Sequence, residues 1–106
     1  MYAQLTYFDG PRTPEQIAAE DFAGRKRIIP AVSQTGHRFR VYVMRRDDGV
    51  QIVVSVADSE QALLDAQKAI MSTELLPGED PALLPGPDRL ELYPVIEVDD
   101  HDPARS

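Results

Sequence analysis

Apolar positions along this chain change period several times, and each change marks an element. Tyr2 to Phe8 alternates, with Ala3, Leu5 and Tyr7 on one face and Tyr2, Gln4, Thr6 and Phe8 on the other. Both faces carry apolar or aromatic groups, which predicts a strand covered on two sides. Asp9-Gly10-Pro11 ends it. Thr13 is then placed as an N-cap, Pro14 as the first helical residue and Gln16 as the partner in a capping box. Ile17, Ala18 and Phe22 predict the inward face of a helix running from Pro14 to about Arg25. Gly24 weakens its end and Pro30 argues against continuation past Ile29, so residues 31–37 read as a connection.

A second alternating run, Arg38 to Arg45, sets Phe39, Val41 and Val43 against Arg38, Arg40, Tyr42 and Met44. Arg46-Asp47-Asp48-Gly49 reads as a hairpin turn in which Gly49 takes a positive φ. From Val50 to Ala57, the residues Val50, Ile52, Val54 and Val56 share one face, opposite Gln51, Val53, Ser55 and Ala57. Asp58 is placed to cap a second helix over residues 59–72, with Gln61 three residues on and Leu63, Ala66 and Ile70 along its inner side. Leu75-Leu-Pro-Gly-Glu-Asp and Leu83-Leu-Pro-Gly-Pro-Asp are near copies eight residues apart, too short a period for a repeat architecture. With four prolines in residues 77–87, they read as a stiff loop anchored by its leucine pairs. The last strand, Leu90 to Val98, contains Pro94, which cannot donate to a ladder and so predicts a sheet edge. Residues 99–106 read as an acidic tail prone to disorder.

The resulting order, β-α-β-β-α-β, predicts an α+β fold: a ferredoxin-like antiparallel sheet with strand order 4-1-3-2 and two helices on one face. Residues 1–98 are expected to form one domain. The opposite sheet face is left uncovered, and an apolar face of that kind needs a partner. At 106 residues and 42% hydrophobic, without Trp, the core is thin, and a homodimer is the expected remedy.

Charge and composition narrow the function. The absence of cysteine excludes disulfides, thiol nucleophiles and Cys-based metal sites. A net charge of −7 argues against nucleic-acid binding. The N-terminus opens as a strand without a basic-then-apolar leader, and no apolar run approaches the roughly 20 residues of a membrane span, so no membrane partner and a cytoplasmic location are expected. Residues 25–46 hold seven of the eleven Lys and Arg and no acid, whereas residues 74–106 hold nine acids. The two blocks are expected to attract each other, within a protomer or across a dimer. The sharper alternative is an anion-binding groove built by the basic block.

The strand–helix order resembles the dimeric α+β-barrel proteins, including those similar to antibiotic-biosynthesis monooxygenases, over roughly residues 1–98. The residues carrying the resemblance are the Asp-Asp-Gly hairpin, the stretch Val53-Val-Ser-Val-Ala-Asp-Ser-Glu-Gln-Ala and the ending Asp88-Arg-Leu-Glu-Leu-Tyr-Pro-Val. The resemblance implies two sheets closing into an eight-stranded barrel, with a pocket in each protomer between sheet and helices. It also implies cofactor-independent oxygenases on polyketide-type aromatics, haem-degrading enzymes, polyketide cyclases or lactone isomerases. The chain has no Trp, no Asn and no His in residues 59–72, which departs from the haem-degrading pattern, and the missing Trp also departs from the anthrone oxygenases.

Few residues offer chemistry. His37 precedes the second strand, and an imidazole suits proton transfer in an enolate-forming step. The plainer alternative is an exposed loop histidine. Tyr7, Tyr42 and Arg40 are candidates to orient substrate oxygens, and Ser55 is small enough to leave room for a pocket; ordinary packing is the alternative for each tyrosine. A buried Arg40 requires an acid, such as Glu91 or Glu97, or an anionic ligand. His101, in Asp99-Asp-His-Asp, is a weak metal site, and neither a metal nor a cofactor is expected. The expectation is therefore a cofactor-free oxygenase- or cyclase-type enzyme on a small aromatic or polyketide-like molecule. The alternative is a non-catalytic dimeric module that binds a ligand or only its own copy.

Overall fold

The structure, a computed structural model, describes residues 1–103. Its elements run β1 (Tyr2–Phe8), α1 (Pro14–Ala23), a π-turn (Gly24–Ile28), α2 (Ile29–Ser33), β2 (Phe39–Arg45), β3 (Gln51–Ala57), α3 (Glu60–Met71), a 3-10 turn (Pro81–Leu83) and β4 (Arg89–Pro94). The strands form one sheet in the order β2-β3-β1-β4 with every neighbouring pair antiparallel. This α+β arrangement is compatible with the expected ferredoxin-like order. β4 pairs only with β1, so Pro94 lies at an edge as its missing N–H requires. The strand ends there instead of running to Val98, although Val95 N–H still reaches the Met1 carbonyl at 2.9 Å.

The register divides the sheet into two faces. Val41, Ser55, Gln4 and Leu92 lie in one row across the four strands, and Tyr42, Val54, Leu5 and Glu91 lie in the next. Because side chains alternate, the first row faces the helices and the second faces away.

The β2–β3 hairpin is closed by Arg46 N–H to Val50 O at 2.9 Å and tightened by Gly49 N–H to Arg46 O at 2.9 Å. Gly49 has φ +89°, and a Cβ there would lie 2.7 Å from the Arg12 backbone nitrogen. Conformation and space both demand glycine, as in a three-residue hairpin with a left-handed glycine.

The first helical region differs from expectation. The capping box forms as predicted, with Gln16 N–H on Thr13 Oγ1 at 3.2 Å and Thr13 N–H on Gln16 Oε1 at 2.9 Å. The helix then continues through Gly24 and Pro30 to Ser33, absorbing part of the expected 31–37 connection. It does so by widening: Ile29 N–H donates to Gly24 O, one residue further back than in an α-helix. The wide turn opens the ladder just ahead of Pro30, where a regular helix would miss a donor and meet the proline ring.

Phe22 is 40% exposed and Ala18 is also exposed, so neither forms the inward face expected of it. Instead the buried pair Arg12 Nε–Glu20 Oε1, 2.8 Å apart, and Ala23 seat this helix. At α3, Ser59 is the N-cap rather than Asp58: its Oγ accepts from Ala62 N–H at 3.1 Å. Gln61 is spent on Asp65, one turn further along.

Among the described residues the buried apolar set is Ala23, Ala57, Ala62, Leu63 and Ala66. Tyr2 and Phe39 pack against Ala57, Ala62 and Leu63, joining α3 to the sheet. Small residues let helix and sheet approach closely, but four alanines and one leucine bury little carbon. The proline-rich loop is held by charge. Glu79, its side chain 1% exposed, accepts from Leu76 N–H at 2.7 Å and from Arg27 Nε at 2.9 Å, and Arg27 Nη1 reaches Thr73 Oγ1 at 2.8 Å. The Leu76 N–H and then Arg27 hold the Glu79 carboxyl below the usual range despite burial. This pair joins the basic and acidic blocks within one protomer. Residues 99–103 have no helix or strand, and 104–106 of the expected tail lie outside the described residues. Among the described residues no helix is long and apolar enough to cross a membrane.

Candidate functional site

The helix-facing side of the sheet does not pack fully against its helices. A cavity of about 1100 Å3 remains between them. Its floor is built from β1, β2, β3 and β4, including Phe8, Val41, Val53 and Leu90. Ile28, Ile29 and Val32 from the widened helix form one wall, and Ala66, Ile70 and Met71 of α3 form another. This placement follows from residues already described: the alanines draw α3 down at one end, and the continued helix carries Ile28 to Val32 across the sheet.

Three uncharged polar side chains interrupt the apolar floor. Gln4, Thr6 and Ser55 line the cavity, and none takes a hydrogen-bond partner among the described residues. Gln4 and Ser55 are ladder partners, so they form a polar step in mid-sheet. Groups of this kind hold water or the oxygens of a ligand.

His37 lines the same cavity, just before β2. Its Nε2 lies 2.9 Å from Asp65 Oδ2, and its ring meets Phe39 edge-on with centroids 6.3 Å apart. The Asp65 carboxyl is held below its ordinary range, first by the Gln61 amide on Oδ1 and then by His37. An ionised carboxylate only accepts hydrogen bonds, so Nε2 carries the proton in this pair and Nδ1 is left as the acceptor. Nδ1 takes no hydrogen bond within the described residues. Both side chains are 39% exposed, so the pair sits at the mouth rather than in the interior.

The other sequence candidates fall elsewhere. Ser55 shares the cavity with His37, whereas Tyr7, Tyr42 and Arg40 project from the opposite face of the sheet. Tyr7 lies under the Arg89 guanidinium, 3.8 Å from ring centroid to Cζ. Its hydroxyl hydrogen-bonds Glu91, which also accepts from Tyr93 Oη at 2.7 Å. Donation to Glu91 raises the pKa of both tyrosines. Arg40 and Glu91 stand on strands at opposite edges of the sheet and cannot meet within one protomer. Tyr42 and Arg40 have no side-chain partner among the described residues. His101 pairs with Asp99 at 3.1 Å in the exposed tail, and among the described residues no cluster of three potential metal ligands occurs.

Sequence reasoning missed Asp65 and passed over Gln4 and Thr6. Alternation already placed Gln4 and Thr6 with Phe8, and two polar residues on a face to be covered by helices were the available signal. Nothing in sequence order brought Asp65 to His37. No family model matches the chain, and no curated protein matches it.

Proposed function

We propose that the protein binds a largely apolar small molecule in the sheet–helix cavity and that His37, oriented by Asp65, removes a proton from it. The reading is that of a cofactor-independent oxygenase- or cyclase-type catalyst on an aromatic or polyketide-like substrate. One observation carries it: a wide apolar cavity with partnerless Gln4, Thr6 and Ser55 on its floor and an Asp-oriented imidazole at its mouth. The Nδ1 lone pair would accept a proton from a phenol or from a carbon between two carbonyls. The resulting enolate then attacks dioxygen in an oxygenase, or a carbonyl of the same molecule in a cyclase.

The same reading takes the chain as a homodimer of the ferredoxin-like, dimeric barrel type, paired through the sheet face that carries no helices. Tyr42, Met44 and Tyr93 on that face are each about half exposed, at 49%, 50% and 50%. Rotating one copy about an axis along the strands lays β2 over the β4 of the other. Arg40 would then approach the Glu91–Tyr93 pair it cannot reach at home.

Native mass spectrometry of gently purified protein tests the reading, since it reads subunit count and retained mass together. A dimer with added mass, and loss of turnover of that molecule in His37→Ala but not in Tyr42→Phe, is the expected result. A ligand turned over equally by His37→Ala would instead support the second reading, a non-catalytic binding module. The exposure of the His37–Asp65 pair, and the placement of Tyr7, Tyr42 and Arg40 away from the cavity, favour that alternative.

A further inference from the structure

The cavity's charge is as distinctive as its shape. The chain has 18 acidic residues against 11 Lys and Arg, yet none of the residues lining the cavity is acidic. One of them, Arg38, is a permanent cation. Other arginines of the fold are matched to acids: Arg12 to Glu20, Arg27 to Glu79, Arg45 to Asp21, Arg46 to Asp48 and Arg89 to Asp9. Arg38 has no carboxylate partner among the described residues. Strand alternation alone would send it to the open face with Arg40. It lines the cavity because it precedes the first ladder pair of β2, Phe39 with Ala57. It therefore stands beside His37 at the mouth, while Phe8, Val53 and Leu90 lie along the floor.

Resting on the binding reading above, we infer that the ligand is an apolar monocarboxylate, its acid group on Arg38 at the mouth and its body over the sheet floor. A guanidinium offers paired N–H donors that match a carboxylate's two oxygens. An amine has no carboxylate in the lining to receive it, because Asp65 is engaged by Gln61 and His37. A second acid on the ligand would be left among apolar side chains, at a desolvation cost that no further cation offsets. Gln4, Thr6 and Ser55 serve a neutral oxygen part-way along the body.

The test is a fluorescence titration of naphthalene-2-carboxylate and of its neutral isostere, naphthalene-2-carboxamide, into the intact protein. Dodecanoate and dodecan-1-ol serve as competitors with a linear body. The carboxylates are expected to bind at least about tenfold more tightly than their neutral counterparts, with the difference shrinking in high salt. Arg38→Gln should abolish the preference and Arg38→Glu should reverse it. Arg38 is exposed and makes no internal bond, so both variants should melt like the parent. Equal binding of acid and neutral probes, or a preference that survives Arg38→Gln, overturns the inference and leaves the cavity reading standing. Failure of all four probes to bind overturns the inference and the cavity reading together.

Discussion

The two faces of one sheet use the same strands for opposite ends. Thr6 and Tyr7 are neighbours on β1, yet Thr6 looks into the cavity without a partner while Tyr7 is stacked under Arg89 and bonded to Glu91. On the helix side, polar groups are left unsatisfied inside an apolar enclosure. On the open side, they satisfy one another and are bordered by half-exposed Tyr42 and Met44. Unsatisfied groups in a concave, carbon-rich space invite a small molecule, because they gain bonds when it enters. Satisfied groups on a broad apolar surface lose nothing when it is covered, which suits a second protein surface.

The contrast can be tested in stability first. Leu63 is 2% exposed beneath the helix side, and Leu63→Ala should cost about 2–5 kcal/mol in urea denaturation. Leu5, on the open face and only half-buried, should cost about 1 kcal/mol when changed to Ala in the dissociated protomer. A cost at Leu5 rising with protein concentration would reveal the covering copy; equal costs at all concentrations would leave that face uncovered in solution.

A second pair of variants separates the faces by function. Val54→Asp places a charge in the centre of the open face and should weaken self-association at least about a hundredfold in sedimentation, with little effect on ligand binding. Ser55→Phe, one residue on, should fill the cavity and remove binding with association unchanged. If either variant disturbs both properties equally, the two faces are not independent.

The pH response offers a smaller effect. The pKa values of Asp48, Asp65, Glu79 and Glu91 are lowered, so their contribution is complete above the ordinary carboxylate range, near pH 4, and is lost as pH falls through the depressed values. Tyr7 and Tyr93 are shifted the other way, upward from 10.0. Their contribution is complete below pH 10 and lost as pH rises through the raised values. Urea midpoints measured against pH should therefore fall at both extremes. Glu91→Gln should shallow the alkaline limb, since it removes the principal cause of both tyrosine shifts, whereas Asp65→Asn should leave that limb unchanged. Smallest of all, Ser59→Ala should cost about 1 kcal/mol through loss of the α3 cap, without altering either face.

Much of this fold was legible in local pattern. β1 agrees with its alternation from Tyr2 to Phe8, and Thr13, Gln16, Gly49 and Pro94 do what their side chains and missing groups dictate. The errors arise where one local rule meets another. Pro30 looked like a stop, but the turn before it widened and took up the missing donor. Asp58 and Ser59 are both good caps, and only the phase of the helix decides between them. Alternation gave the partition of each strand, but not which partition of one strand joins which of the next. That depends on register, and it is why Ser55 and Tyr42 were grouped together before the sheet parted them. His37–Asp65 spans 28 residues of sequence and was invisible to any local rule.

The π-turn at Gly24–Ile28 has a further consequence for how such a pocket changes over evolution. A π-turn holds about one residue more than the α-turn it replaces, so everything after it is rotated by roughly 100° relative to an uninterrupted helix. Losing a single residue among Arg25, Lys26 and Arg27 would straighten the ladder and turn Ile29 and Val32 off the cavity wall. A codon deleted outside the site could therefore recast the ligand preference more than any substitution within it.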